Sequence, residues 1–221
     1  MAQARTENRV LILIGLVIAL GLPFAPLSTW GKAYRGLGSL WGGEVVWAAF
    51  FVVILLYVLL VERRPLSSIG FRRPKVWDIP IGILAMFAIV AGDAAISVVE
   101  VRLHLAVKPQ IAALMATPFS YRAFIAIRAA VVEETAFRGY GFERITNLTG
   151  NKWLAALVTF ALFSVAHYQG GGLALLLVAA WGGLVLTLLY LWRRNLWTTM
   201  LAHWLTDAVG LLLIPTLAAH H

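Results

Sequence analysis

The chain reads as a series of long apolar runs broken by short clusters of charge, proline and glycine. A helix needs roughly 20 mostly apolar residues to cross the ~30 Å hydrocarbon core of a bilayer, because each residue advances it by about 1.5 Å. Segments 10–27, 45–61, 79–101, 121–142, 153–168, 173–192 and 196–217 approach or meet that length. The pattern predicts an all-α, polytopic transmembrane bundle of about seven spans, with residues 1–221 forming a single transmembrane domain. Arg5 and Arg9 precede the first run, and Pro23 and Pro26 interrupt it. Since no small-x-small cleavage site follows, it is read as an uncleaved span. Segment 109–118 is apolar but too short to cross, and is expected as an eighth, re-entrant or interfacial piece.

Composition agrees with that class. Hydrophobic residues make up 61% of the chain and charged residues 13%, a balance foreign to water-soluble domains. The formal net charge of +8 comes from Lys and Arg clustered between apolar runs rather than along one face. Such clusters encode membrane topology, and no nucleic-acid partner is expected. With the N-terminus in the cytoplasm, eleven Lys and Arg fall inside and five outside, which supports that orientation, and the short loops and compact size suit a prokaryotic cytoplasmic membrane. Without cysteine the chain has neither disulfides nor a thiol nucleophile.

Ionisable residues inside apolar runs are costly unless they face protein or water, so each one is a candidate for function. The fourth run carries Arg128, Glu133, Glu134 and Arg138. Glu134 and Arg138 are four apart, share a helix face and are expected to pair. Glu133 points about 100° away and is left free to handle a proton or a water. Phe163 and His167 in the fifth run, and His203 and Asp207 in the seventh, have the same spacing. Phe163 is expected to pack beside His167, and Asp207 to accept from His203 and fix its tautomer. Asp93 and Arg128 lie at similar counted depths and are expected to pair with each other. The same counting puts Glu133, His167 and His203 about 15, 21 and 11 Å from the cytoplasmic ends, a spread too wide for contact between upright helices.

Together, Glu133-Glu134-x-x-x-Arg138, Phe163-x-x-x-His167 and His203-x-x-x-Asp207 resemble the three motifs of the CAAX-processing and bacteriocin-processing family of intramembrane glutamic endopeptidases. The resemblance covers 121–217, the expected catalytic core. It implies that Glu133 and His167 activate a water against a peptide carbonyl, that His203 stabilises the oxyanion, and that Glu134, Arg138 and Asp207 support them. It also implies a membrane-embedded or lipid-anchored protein or peptide as substrate and the lipid bilayer as surroundings. The prenyl-protein branch of the family carries Asn where this chain has Asp207. An ionised Asp would repel an oxyanion, so Asp207 is read here as orienting His203 or as protonated.

The residues also support hydrolysis in their own right. A carboxylate base, two imidazoles and a guanidinium supply what cleavage of a peptide bond requires. Gly-x-Ser-Gly and His-Glu-x-x-His segments are absent, and Ala91-Gly92-Asp93 falls short of Gly-x-Gly-Asp. No cofactor is expected; if a metal is used, its ligands would be His167, His203 and Glu133. The reading from another class is a membrane scaffold, an immunity protein or a small transporter with a buried polar cluster.

Overall fold

Helices are what such apolar runs must form, since a helix satisfies its own backbone donors and acceptors where no water is present. The computed structural model describes residues 9–25, 38–105 and 109–214, and no strand occurs among them. Helix α1 is Arg9–Leu16, prolonged by a π-helical turn and by the 3-10 turn Leu22–Phe24 at Pro23. Helix α2 is Gly38–Leu56, carried on by the π-helical Tyr57–Val61. Then come α3 (Asp78–Arg102), the short α4 (Pro109–Met115) and α5 (Phe119–Glu133). The π-helical Glu134–Gly141 joins α5 directly to α6 (Phe142–Thr149). Last are α7 (Lys152–Arg193) and α8 (Leu196–Ala208), which continues as Val209–Leu213.

By length and composition, Trp41–Val61, Asp78–Arg102 and Lys152–Arg193 are each able to cross a membrane. Helix α7, with 42 residues, is about twice the length one crossing needs. Its two halves meet at a kink where Gly172 adopts φ 72° and ψ −155°, a conformation open essentially to glycine alone. The kink falls between the fifth and sixth apolar runs of the sequence. The short apolar piece at 109–118 forms α4. The fourth run extends further than its hydropathy indicates, because α5, the π segment and α6 make one rod from 119 to 149. Residues 215–217 at the end of the last run lie outside the described residues.

Large apolar side chains of α1, α2, α3 and α7 project outward, as lipid-facing surfaces do. Inside, Phe137, Tyr140, Phe142, Phe163, Tyr190 and Leu196 pack around the π segment. Ile89, Leu186, Leu189 and Ala202 tie α3 to α7 and α8.

Vertical stagger places the polar residues. Asn195 caps α8 by accepting from the Trp197 N–H, and the Leu196 N–H donates to the Gly70 carbonyl at 2.9 Å. Leu196 lies against Gly139, so α8 begins beside the middle of the α5–α6 rod and not at its end. From that level Glu134 is about 7.5 Å and His203 about 10.5 Å along their helices. Helix α7 starts just after the far end of the rod, capped by Asn151, which accepts from the Trp153 and Leu154 N–H groups. His167 is about 22 Å from that start, and Glu133 about 24 Å back from Thr149. The depth mismatch expected from the sequence came from assuming that every run starts at one plane.

At the α8-start end of the bundle a belt of buried ion pairs ties the helices together. Arg144 donates to Glu62 at 2.5–3.1 Å and to the Ser68 carbonyl and hydroxyl, while the Tyr140 hydroxyl donates to the same Glu62 at 2.6 Å. Glu143 accepts from Tyr190 at 2.6 Å and Arg194 at 2.5 Å. Asp78 accepts from Arg193, Asn195, Thr198 and the Lys75 N–H. Arg144, Arg193 and Arg194, which the charge pattern treats only as topology signals, are therefore also fastened into the fold.

Candidate active site

All eight residues of the π segment are buried, and it carries both Glu134 and Arg138. Single π turns inside α-helices recur at functional sites because they re-aim side chains at the cost of helical regularity. The Arg138 Nη1–H donates to Glu134 Oε1 at 2.8 Å, the pair expected from the spacing. The side chains are 1% and 0% exposed, so neither charge has water to fall back on. Arg138 Nη2 donates to the Gly183 carbonyl at 3.1 Å, and its guanidinium lies 4.1 Å from the centre of the Phe163 ring. A Cβ on Gly183 would meet Phe163, so glycine allows the close approach of the two halves of α7 at this point.

Glu134 is also the partner of His203. Its Oε1 accepts from the Nδ1–H at 2.9 Å, whereas His203 Nε2 stands 3.6 Å from Asp207 Oδ2. The expectation that Asp207 fixes the tautomer is corrected: the hydrogen bond is made by Glu134, and Asp207 faces the other nitrogen at ion-pair range only. The reason is geometric, since Glu134 projects from a neighbouring helix along the imidazole's edge while Asp207 sits one turn away on the same helix.

Phe163 packs on His167 as expected, with ring centres 4.5 Å apart. His167 Nδ1 lies 2.8 Å from the Phe163 carbonyl oxygen, which can only accept, so that nitrogen carries the proton. In the neutral ring Nε2 is then a free base. It stands 3.8 Å from Glu133 Oε2, which is buried and has no hydrogen-bond partner. The other Glu133 oxygen is 3.9 Å from Arg128 Nη1. Adjacent in sequence, the two glutamates have different surroundings: Glu134 is fully buried and its Oε1 takes Arg138 and His203 at 2.8–2.9 Å while its Oε2 is left without a partner, whereas Glu133 is 19% exposed and has loose neighbours on both oxygens.

A partly open cavity of about 110 Å³ lies against this cluster. His167, His203, Thr206 and Asp207 line one side, Asp93 another, and Ile89, Leu175 and Leu186 supply apolar walls. The expected Asp93–Arg128 pair is absent. Arg128 Nε donates to Glu44 of α2 at 2.8 Å, and Asp93 faces the cavity with one oxygen buried and unpartnered. Equal counted depth said nothing about facing, and the two side chains leave their helices toward different neighbours.

Among the described residues, no group of three His, Asp or Glu side chains stands close enough to share one metal ion. His167, His203 and Glu133, the ligand set the sequence allows, do not form such a group. Glu44 is the residue that sequence reading misses. It sits at the edge of an apolar run, where an acidic residue passes for an interfacial charge, and only the general cost of charge at membrane depth marks it.

These features define a class: a helical membrane protein with a hollow between its helices lined by two oriented imidazoles and the carboxylates of Asp93 and Asp207, with Glu133 standing beside His167 and the Glu134–Arg138 pair beside His203. Residues 115–209 match the family model described as type II CAAX prenyl endopeptidase Rce1-like, which bears out the resemblance read from the three motifs. The matched segment contains Glu133, Glu134, Arg138, His167, His203 and Asp207 and leaves out α1 to α3. The family so described is one of membrane-embedded proteases. Neither the comparison with curated proteins nor that with solved structures found a match.

Proposed function

We propose that the protein is an intramembrane endopeptidase that hydrolyses a peptide bond of a membrane-embedded or lipid-anchored protein or peptide. The observation that carries this reading is the facing of Glu133 Oε2 and His167 Nε2 at 3.8 Å, both free of other hydrogen bonds. One water bridges groups at that separation. Glu133 takes a proton from the water as its oxygen attacks the carbonyl carbon. The carbonyl electrons move onto oxygen, and the Nε2–H of a doubly protonated His203, whose Nδ1–H is held by Glu134, stabilises that charge from the cavity wall. Breakage of the C–N bond then releases an amine, which receives the proton held by Glu133, and a carboxylic acid, whose remaining proton passes to His167 Nε2 and on to solvent to leave a carboxylate.

Supporting roles follow from the contacts. Arg138 and Glu134 brace His203, and Glu134 keeps Nδ1 occupied so that the ring presents Nε2. Phe163 holds His167 through its carbonyl and its ring. The chemistry needs no cofactor in this scheme. We read the apolar runs as about seven crossings with a cytoplasmic N-terminus, on the strength of their length and of the Lys and Arg bias.

The test is cleavage by purified full-length protein of a fluorescence-quenched peptide library whose members carry or lack a prenylated C-terminal cysteine segment. Mass spectrometry locates the cut, and parallel reactions contain a chelator. Cleavage that survives chelation and disappears in Glu133→Gln supports the reading. Equal turnover by Glu133→Gln, or no cleavage of any member by folded protein, overturns it in favour of a non-catalytic membrane protein.

A further inference from the structure

Glu133 lies at the end of a chain of polar contacts that begins in α2, outside the matched segment. The Tyr121 hydroxyl donates to Glu44 Oε1 at 3.1 Å, and the Arg128 Nε–H donates to Glu44 Oε2 at 2.8 Å. Both oxygens of Glu44 are thereby occupied, and its side chain is 9% exposed. The Arg128 guanidinium is held further by Trp47 of α2, 5.4 Å from its ring centre. A guanidinium is planar and donates in a fixed fork, so fastening Nε also fixes where the terminal nitrogens point. Nη1 points at Glu133 Oε1, 3.9 Å away.

This leaves the two oxygens of Glu133 unequal. One faces a cation anchored from α2, and the other faces His167 and has no hydrogen-bond partner. We propose that Arg128, anchored by Glu44, is a positioning residue of the site: it orients the Glu133 carboxylate so that its other oxygen is presented to His167 and to the attacking water. The proposal rests on the peptidase reading above and makes α2 part of the active site.

A purely structural Arg128 would serve only to tie α5 to α2. The two roles separate in a charge swap. Exchanging both partners, Glu44→Arg with Arg128→Glu, restores an ion pair between the helices but puts a carboxylate against Glu133. The experiment measures kcat, KM and thermal unfolding of the full chain in detergent, using whichever library peptide the unmodified protein cleaves. Arg128→Gln is expected to lower kcat about 100-fold, the scale of a misplaced catalytic group, with KM within about twofold. Arg128→Lys recovers part of that loss by retaining a cation. The swap recovers the unfolding temperature lost in Glu44→Gln but does not recover kcat.

Recovery of kcat in the swap, or a kcat for Arg128→Gln equal to that of the unmodified protein, overturns the proposal. A rise in KM alone overturns it too, since that marks a substrate-binding contact. Failure of the underlying reading looks different, because Glu133→Gln would then turn over as fast as the unmodified protein, and the proposal would fall with it. If Arg128→Gln does not fold, Arg128→Lys and the swap decide the question between them.

Discussion

Two regions of this protein bury charge among apolar helices, and they treat it in opposite ways. In the belt of Glu62, Arg144, Glu143, Arg194, Asp78 and Arg193, the carboxylates are met at 2.5–3.1 Å by two or more donors. In the cluster of Glu133, His167, His203, Asp207 and Asp93, Glu133 stands 3.8 Å from His167 and 3.9 Å from Arg128, Asp207 stands 3.6 Å from His203, Asp93 faces a cavity, and buried oxygens go unpaired. Desolvating an ion is repaid only by close and complete partnering, so the belt is built to hold the helices in register. The cluster forgoes that partnering. Groups left under-satisfied beside a cavity remain free to bind and move a proton, and such strain is retained at sites that use it. Glu134 stands between the two regimes: its Oε1 is paired at belt distances with Arg138 and with His203 of the cluster, while its Oε2 is buried without a partner.

The largest effect expected from this contrast is Glu133→Gln. The substitution keeps the volume and removes the base, so kcat for peptide cleavage should fall by about 10⁴-fold, the upper range for loss of a general base. Since Glu133 makes no hydrogen bond that the fold depends on, unfolding of the detergent-solubilised protein should occur at an unchanged temperature. A variant that is inactive but also unstable would erase the distinction between the regions.

Arg144→Met examines the other side. Arg144 is fully buried and serves Glu62 and Ser68, so its loss strips Glu62 of its guanidinium partner while the Tyr140 hydroxyl remains. Breaking one partner of such a pair costs about 3–5 kcal/mol, and the yield of folded, monodisperse protein should collapse. Whatever fraction folds should still cleave peptide at close to the usual rate per molecule, as active-site titration would show. Glu134→Gln should show a mixed result. Turnover is expected to drop about 100-fold through a mis-set His203, with a loss of about 1–3 kcal/mol of stability from the weakened pair to Arg138.

Much of the cluster was legible in the sequence, because short-range helical spacing carries it. The separation of four residues gives Glu134–Arg138 and Phe163–His167 directly, and the turn between Glu133 and Glu134 separates a free carboxylate from a bound one. Contacts between helices were not legible. Hydropathy counts along each run but does not say at what depth a run begins, so the start of α8 beside Gly139 was hidden, and with it the bond from Glu134 to His203. The partner of Arg128 was hidden for the same reason. Nothing in the spacing of Glu44 relates it to a residue more than eighty positions later. The break at Gly172 was legible only as a run of glycines whose consequence depends on a backbone angle.

The smallest effect, and the finest probe of the contrast, is expected from Asp207→Asn. Asp207 is 26% exposed and lies 3.6 Å from His203 Nε2, too far for a hydrogen bond, while the opposite nitrogen is already held by Glu134 at 2.9 Å. Removing its charge should therefore leave His203 oriented and lower kcat by no more than about tenfold, or roughly 1.4 kcal/mol. An amide also presents a donor to the cavity, and a donor near a developing oxyanion is favourable where a carboxylate is repulsive. The two effects oppose each other, and a modest gain in turnover is within the same argument. A loss of 100-fold or more would mean that Asp207, and not Glu134, governs the imidazole. In that event the loosely partnered region would contain an essential pair, and distance alone would no longer separate the groups that hold the fold from those that carry out the chemistry.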